Sequence, residues 1–128
     1  MHEPKPRRCW AEKFRDAFRG LRQGMHGQSS FTAHFAAAVL VIAAAVAMGI
    51  DDRFSWCLLL LCIAVVLAAE MFNSALESLA RAITEDVDPN IGRALNIGSA
   101  AVLIAAVGAA AVGAIVFVGR LGTLLDWW

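Results

Sequence analysis

The chain has 128 residues, enough for one domain, yet 59% of them are hydrophobic and the mean hydropathy is +0.64, too apolar for a water-soluble domain of 13.7 kDa. Its formal net charge is zero, but the charges are segregated: residues 1–30 hold seven Lys or Arg against three acids, and residues 70–96 hold five acids against two Arg. Secreted disulfide scaffolds, disordered tails and nucleic-acid binders are excluded, because Cys9, Cys57 and Cys62 show no paired spacing and the basic excess adjoins apolar sequence without a nucleic-acid motif.

Residues 1–12, basic and with two prolines, are predicted to form a flexible leader. An amphipathic pattern follows over residues 10–28: Trp10, Phe14, Phe18, Leu21 and Met25 recur on one helical face, with Lys13, Arg15, Asp16, Arg19, Arg22 and Gln23 on the remainder. We place a surface helix over 13–28. It lies at the headgroup level, packs on the cytoplasmic face of the protein itself, or both. Gly20, Gly24 and Gly27 weaken it toward its end, and a break near Gly27 turns the chain into the membrane.

Three apolar segments then match a hydrocarbon core of about 30 Å, which needs about 20 helical residues. Ala33–Ile50 (18 residues) is interrupted by His34, Phe54–Ala69 (16 residues) by Ser55, and Ile97–Val118 (22 residues) by Ser99. With their flanks they predict span one over 31–50, span two with a cytoplasmic extension over 54–81, and span three over 92–118. The middle run is short enough for a buried core helix, but the tight Asp51-Asp52-Arg53 turn before it reads as a hairpin return. The first run exceeds a signal-peptide core, and its leader is too long and too patterned. Seven Lys or Arg precede span one, one sits in the first turn, two lie between spans two and three, and one follows span three. This asymmetry puts the N-terminus and residues 70–96 in the cytoplasm, with a multi-pass location in the inner (cytoplasmic) membrane.

Span three carries Ala101, Ala105, Ala109 and Gly113 every fourth residue, a stripe along which a helix packs closely. Three spans enclose little space, so a homo-oligomer with sites between chains is expected. Trp127 and Trp128 read as interfacial anchors.

Ionisable groups at a membrane boundary are functional candidates. At the end of span two, offsets of 3, 4 and 7 put Glu70, Asn73, Ser74 and Glu77 on one helical face, about 10 Å from end to end. This stripe is either an interhelical hydrogen-bond seam or a site. A carboxylate in a partly apolar setting suits a general base, and a second suits Mg²⁺, which takes few carboxylates plus substrate phosphates. Pro89, Asn90 and Gly92 mark a turn before span three. The chain has neither a GxxxxGK[ST] nor a GxGxxG loop, so any nucleotide site differs from those of common kinases.

The run Glu70-Met-Phe-Asn73-Ser-Ala-Leu-Glu77, then Gly92-Arg93-Ala94 and Gly98-Ser99-Ala100-Ala101-Val102-Leu103-Ile104, resembles the small prokaryotic integral-membrane diacylglycerol kinases, a family that includes the undecaprenol kinases. The resemblance covers roughly residues 14–118, with Phe18-Arg19-Gly20-Leu21-Arg22 and Phe31…His34 supporting it. It implies an all-α membrane protein with a surface helix and three spans, a homotrimer with composite sites between protomers. It also implies transfer of the ATP γ-phosphate, with Mg²⁺, to a lipid hydroxyl. By position, Glu70 resembles the general base for the lipid, Glu77 a Mg²⁺ ligand facing the nucleotide, and Asn73 an amide in the nucleotide site. Ser99 matches the serine beside the lipid head, Asp86 and Asp88 fall in the stretch lining the nucleotide, and Arg22 falls where the surface helix meets the lipid.

Two places depart from the pattern. Gln28 stands where the family has a glutamate metal ligand, and Leu95-Asn96 where it has Lys-Asp. The Gln28 amide oxygen still binds Mg²⁺ and faces the nucleotide, and Asn96 still hydrogen-bonds a ribose or base, each with one charge lost. Leucine cannot replace a phosphate-binding lysine, and its presence is expected to cost on the order of a hundred- to thousandfold in rate. Arg93, Arg81 and the arginines of residues 13–22 are candidates to compensate. The expected function is diacylglycerol phosphorylation. The alternatives are undecaprenol phosphorylation, a non-catalytic trimeric homologue, and a small transporter or pore subunit using the Glu70 stripe as an ion path.

Overall fold

Each apolar run becomes a helix because a bilayer offers the backbone no other hydrogen-bond partners. The computed structural model describes residues 9–26, 29–86 and 88–127 as α1 (Trp10–Met25), α2 (Ser29–Ala47), α3 (Arg53–Ile83) and α4 (Pro89–Leu124). The last three are long and apolar enough to cross a membrane.

Helix α1 begins at Trp10, inside the expected leader, because the Glu12 carboxylate accepts the Cys9 backbone N–H at 3.0 Å and so caps the helix early. The Lys13 ammonium sits 4.6 Å above the Trp10 ring, which adds a cation–π contact to this first turn. The helix stops at Met25: His26 turns to an extended conformation and its Nδ1 bonds the Arg22 carbonyl at 3.2 Å. Residues 1–8, the expected break at Gly27 and the candidate ligand Gln28 lie outside the described residues. Trp10, Phe14, Phe18, Leu21 and Met25 are all exposed on the protomer.

Helix α2 ends three residues before the apolar run does. Gly49, at φ +63°, takes the left-handed conformation that closes the helix, with the Ile50 N–H bonding Ala45 O and the Gly49 N–H bonding Val46 O, both at 3.0 Å. Arg120 of α4 donates through Nε to the Met48 carbonyl at 2.8 Å, and Trp56 of α3 donates to the Ile50 carbonyl at 2.9 Å. Both bonds satisfy carbonyls that the helix end leaves free. Ala45, Ile50 and Leu59 are buried there, packed by Val41, Trp56, Val116 and Phe117. Asp52 then caps α3 by accepting the Ser55 N–H at 2.8 Å.

Helices α3 and α4 outrun their apolar segments. At 1.5 Å per residue the 31 residues of α3 extend about 46 Å and the 36 of α4 about 54 Å, both longer than the hydrocarbon core. Helix α3 continues through the polar stripe to Ile83, and α4 starts at Pro89 because Asp88 accepts the N–H groups of Asn90 and Ile91 and Pro89 fits the first turn. Helices α3 and α4 form the main packed pair, with α2 against α3 and α1 across α2 and α3. Only 6% of the most apolar window of α4 is buried, so its surface is covered by lipid or by other copies and not by a core of its own.

Candidate active site

The α3 stripe is the most buried polar group of the described chain. Glu70 is 2% exposed, Asn73 8% and Ser74 7%. The stripe faces three neighbouring elements. Glu70 meets α2: the Ser30 hydroxyl donates to its Oε1, and His34 Nε2 lies 3.7 Å from its Oε2. Asn73 meets α4 at Gly98, whose missing side chain makes room for it; a Cβ there would fall 2.7 Å from Asn73 Oδ1 and 3.0 Å from Leu76 Cδ1. Along α3, Asn73 Nδ2 donates to Glu77 Oε1 at 3.0 Å.

Ser74 turns toward α1 instead. It lines a cleft of about 580 Å³ with Gly20, Gln23 and Gly24 of α1, His26 just beyond it, and Met71, Ser78 and Arg81 of α3. Gly24 lets the Met71 thioether lie against α1. Two buried atoms in the stripe, Asn73 Oδ1 and Ser74 Oγ, have no hydrogen-bond partner among the described residues. Such orphans are rare in folded chains and mark places where another group completes the site.

A second space lies deeper. An apolar groove of about 470 Å³ runs between α2, α3 and α4, with Ala38, Val41, Leu59, Val66, Ala109 and Gly113 among its walls and His34 at its polar edge. The small residues of the span-three stripe make this width possible. Through His34 the groove adjoins Glu70.

Among the described residues, none of the remaining expected residues hydrogen-bonds or ion-pairs with Glu70. Asp86 and Asp88 are exposed in the α3–α4 link, where Asp88 caps α4 and the Asp86 N–H donates to Thr84 Oγ1 at 2.9 Å. Arg22, Asn96 and Ser99 are exposed on α1 and α4, and Leu95 is half-buried. Among the described residues no three His, Cys, Asp or Glu side chains gather as a metal cage. Glu77 keeps one oxygen free of Asn73, so the donor set fits a cation held mainly by phosphate and water. Ser30 joins the site without a signal in the sequence, and His34 and Gly98, which carry part of the family resemblance, join it without an expected role. His34, as the one polar break in span one, was the available signal.

A polar stripe around one buried carboxylate, on one membrane-length helix and packed by two others, is the candidate site of a protein with three membrane-length helices. The chain belongs to the prokaryotic diacylglycerol kinase family, whose sequence pattern it matches over residues 15–117. It is therefore a multi-pass protein of a membrane lipid-kinase family. No curated protein matches it.

Proposed function

We propose that the protein is an ATP-dependent lipid kinase of the cytoplasmic membrane that converts diacylglycerol to phosphatidic acid, working as a homotrimer with sites between protomers. The observation that carries this reading is Glu70, a buried carboxylate beside an apolar groove. The lipid tails lie along the groove and the hydroxyl reaches Glu70, which removes its proton as the oxygen attacks the γ-phosphorus. Asn73 holds Glu77, and Glu77 with Gln28 would hold Mg²⁺, which supplies charge neutralisation on the transferring phosphate. Ser99 steadies the lipid head and Arg22 receives it at the membrane surface. Asp86, Asp88 and Asn96 belong to the nucleotide side, brought together with Glu70 by assembly of chains. The exposed face of α1 rests at the headgroups, and the Lys and Arg bias keeps this end in the cytoplasm.

Leu95 favours one further reading, a homologue that binds nucleotide without efficient transfer, since a half-buried leucine gives phosphate no cation. The deciding experiment offers purified protein in bicelles diacylglycerol and undecaprenol side by side with labelled ATP and Mg²⁺. Labelled phosphatidic acid is expected. Labelled undecaprenyl phosphate alone would move the assignment within the family, and no lipid product from an intact oligomer would establish the non-catalytic reading.

A further inference from the structure

The polar stripe of α3 has a second face. Glu70 and Asn73 are engaged by α2, α4 and Glu77, whereas Ser74 turns to α1 and shares the cleft of about 580 Å³ with Gln23, Ser78 and Arg81. Ser74 is 7% exposed and its Oγ has no hydrogen-bond partner among the described residues, although a serine inside a helix ordinarily spends its hydroxyl on the carbonyl one turn back. The other polar groups of the cleft are uncommitted too. Among the described residues, Arg81 pairs with neither Glu77 nor Glu85, the acids one turn to either side, and the side chains of Ser78 and Gln23 make no hydrogen bond. None of the described residues lining the cleft is Asp or Glu. A guanidinium fork, two hydroxyls and an amide without a carboxylate form a donor set for an anion. Leu21, Met71 and Ala75 make the rest of the wall apolar.

The depth of the cleft says what kind of anion reaches it. Counted at about 20 residues from Phe54, the hydrocarbon ends near Asn73. Ser74 therefore stands at the boundary, and Arg81, seven residues on, about 10 Å above it. Side chains on a helix lean toward its N-terminus, which for α3 is the membrane side, so Arg81 leans back over the headgroup layer, itself about 5–7 Å deep. We propose that the α1–α3 cleft binds the phosphate monoester headgroup of a membrane lipid, with Arg81 and Ser74 as its main ligands and the glycerol end on the apolar wall. A phosphate monoester carries about −1.5 to −2 charge at neutral pH and three acceptor oxygens, more than the phosphodiester of common membrane lipids offers the same donors. Basic pockets beside membrane helices hold lipid headgroups in this way. The site needs no second copy, since both walls belong to one chain. Binding does not rest on the lipid-kinase reading; under that reading the ligand is the reaction's own product, held one turn, about 6 Å, along α3 from Glu70.

The test uses the full-length protein in detergent micelles, as wild type, Arg81→Gln, Ser74→Ala and Arg53→Gln, the last removing a cation at the opposite end of α3. Native mass spectrometry follows the binding of phosphatidic acid, with phosphatidylglycerol of the same acyl chains as the diester comparison. The wild type should bind phosphatidic acid at least about tenfold more tightly than phosphatidylglycerol. Arg81→Gln should weaken phosphatidic acid binding at least about tenfold and Ser74→Ala several-fold, while Arg53→Gln binds as the wild type does. Equal affinity of the wild type for the two lipids overturns the proposal, as does wild-type binding of phosphatidic acid by Arg81→Gln. Inorganic phosphate and MgATP serve as competitors, and phosphatidic acid should stay bound against a millimolar excess of inorganic phosphate. Displacement by inorganic phosphate overturns the lipid assignment, and so does weaker MgATP binding by Arg81→Gln with phosphatidic acid binding unchanged, which would give the cleft to the nucleotide. If Ser74→Ala does not fold, the exposed Arg81→Gln change decides alone. Phosphatidic acid is added and not made, so a wild type that phosphorylates no lipid refutes the kinase reading and leaves the binding result to decide this one.

Discussion

Gly98 and Gly24 look alike in the sequence but differ in what surrounds them. A methyl group at Gly98 would press on the Asn73 amide, which is buried and bonded to Glu77, whereas at Gly24 it would meet only the flexible end of Met71. Gly98→Ala is therefore expected to cost about 1–3 kcal/mol through overpacking and to displace Asn73 from Glu77, while Gly24→Ala is nearly neutral. Thermal unfolding in nanodiscs separates them; equal losses in the two variants would contradict the α3–α4 geometry. Leu95 is the residue whose chemistry fits the proposed reaction least. Leu95→Lys with Asn96→Asp restores the family pattern near the start of α4 and is expected to raise turnover up to about a hundredfold, since it adds a cation for the phosphate. Unchanged turnover in a folded oligomer would mean that Arg81, Arg93 or an arginine of α1 already fills the role.

At the scale of elements, the turn between α2 and α3 is held by polar groups at the edge of the membrane. The Ser55 hydroxyl and backbone N–H both bond the Asp52 carboxylate and hold it below the usual aspartate range. A carboxyl more acidic in the folded chain than in the unfolded one stabilises above the unfolded value of about 4, and that contribution disappears as pH falls through the lower folded value. Asp52→Ala should therefore lower the melting temperature at neutral pH, and the gap from wild type should close in acid. A constant gap would assign the effect to something other than the charged cap. The helices themselves were legible because a bilayer admits little else for long apolar runs, and Glu70, Asn73, Ser74 and Glu77 because offsets of 3, 4 and 7 fix one face. Helix ends were less legible. Glu12, Gly49 and Asp88 set them through single hydrogen bonds or one backbone conformation, which periodicity does not record. The partners of Glu70 were not legible at all: Ser30 and His34 lie a whole span away in the chain, and only the packing of α2 on α3 joins them.

At the scale of the molecule, the single chain leaves polar and apolar groups uncovered that the proposed homotrimer with its ligands would cover. Asn73 Oδ1 and Ser74 Oγ are buried with no hydrogen-bond partner among the described residues, the apolar residues of α1 are exposed, and so are Asp86, Asp88 and Asn96. The proposed homotrimer with its ligands would account for these features together, and native mass spectrometry from nanodiscs should give three copies; a monomer with lipid-kinase activity would contradict the shared-site proposal. The central claim is that Glu70 is the base of a lipid kinase, separate from what holds the oligomer together. The most direct test is phosphate transfer from labelled ATP to lipid by Glu70→Gln beside wild type, with assembly checked in the same samples. The account predicts a loss of at least about a thousandfold in a variant that still assembles. Wild-type turnover by Glu70→Gln would contradict it.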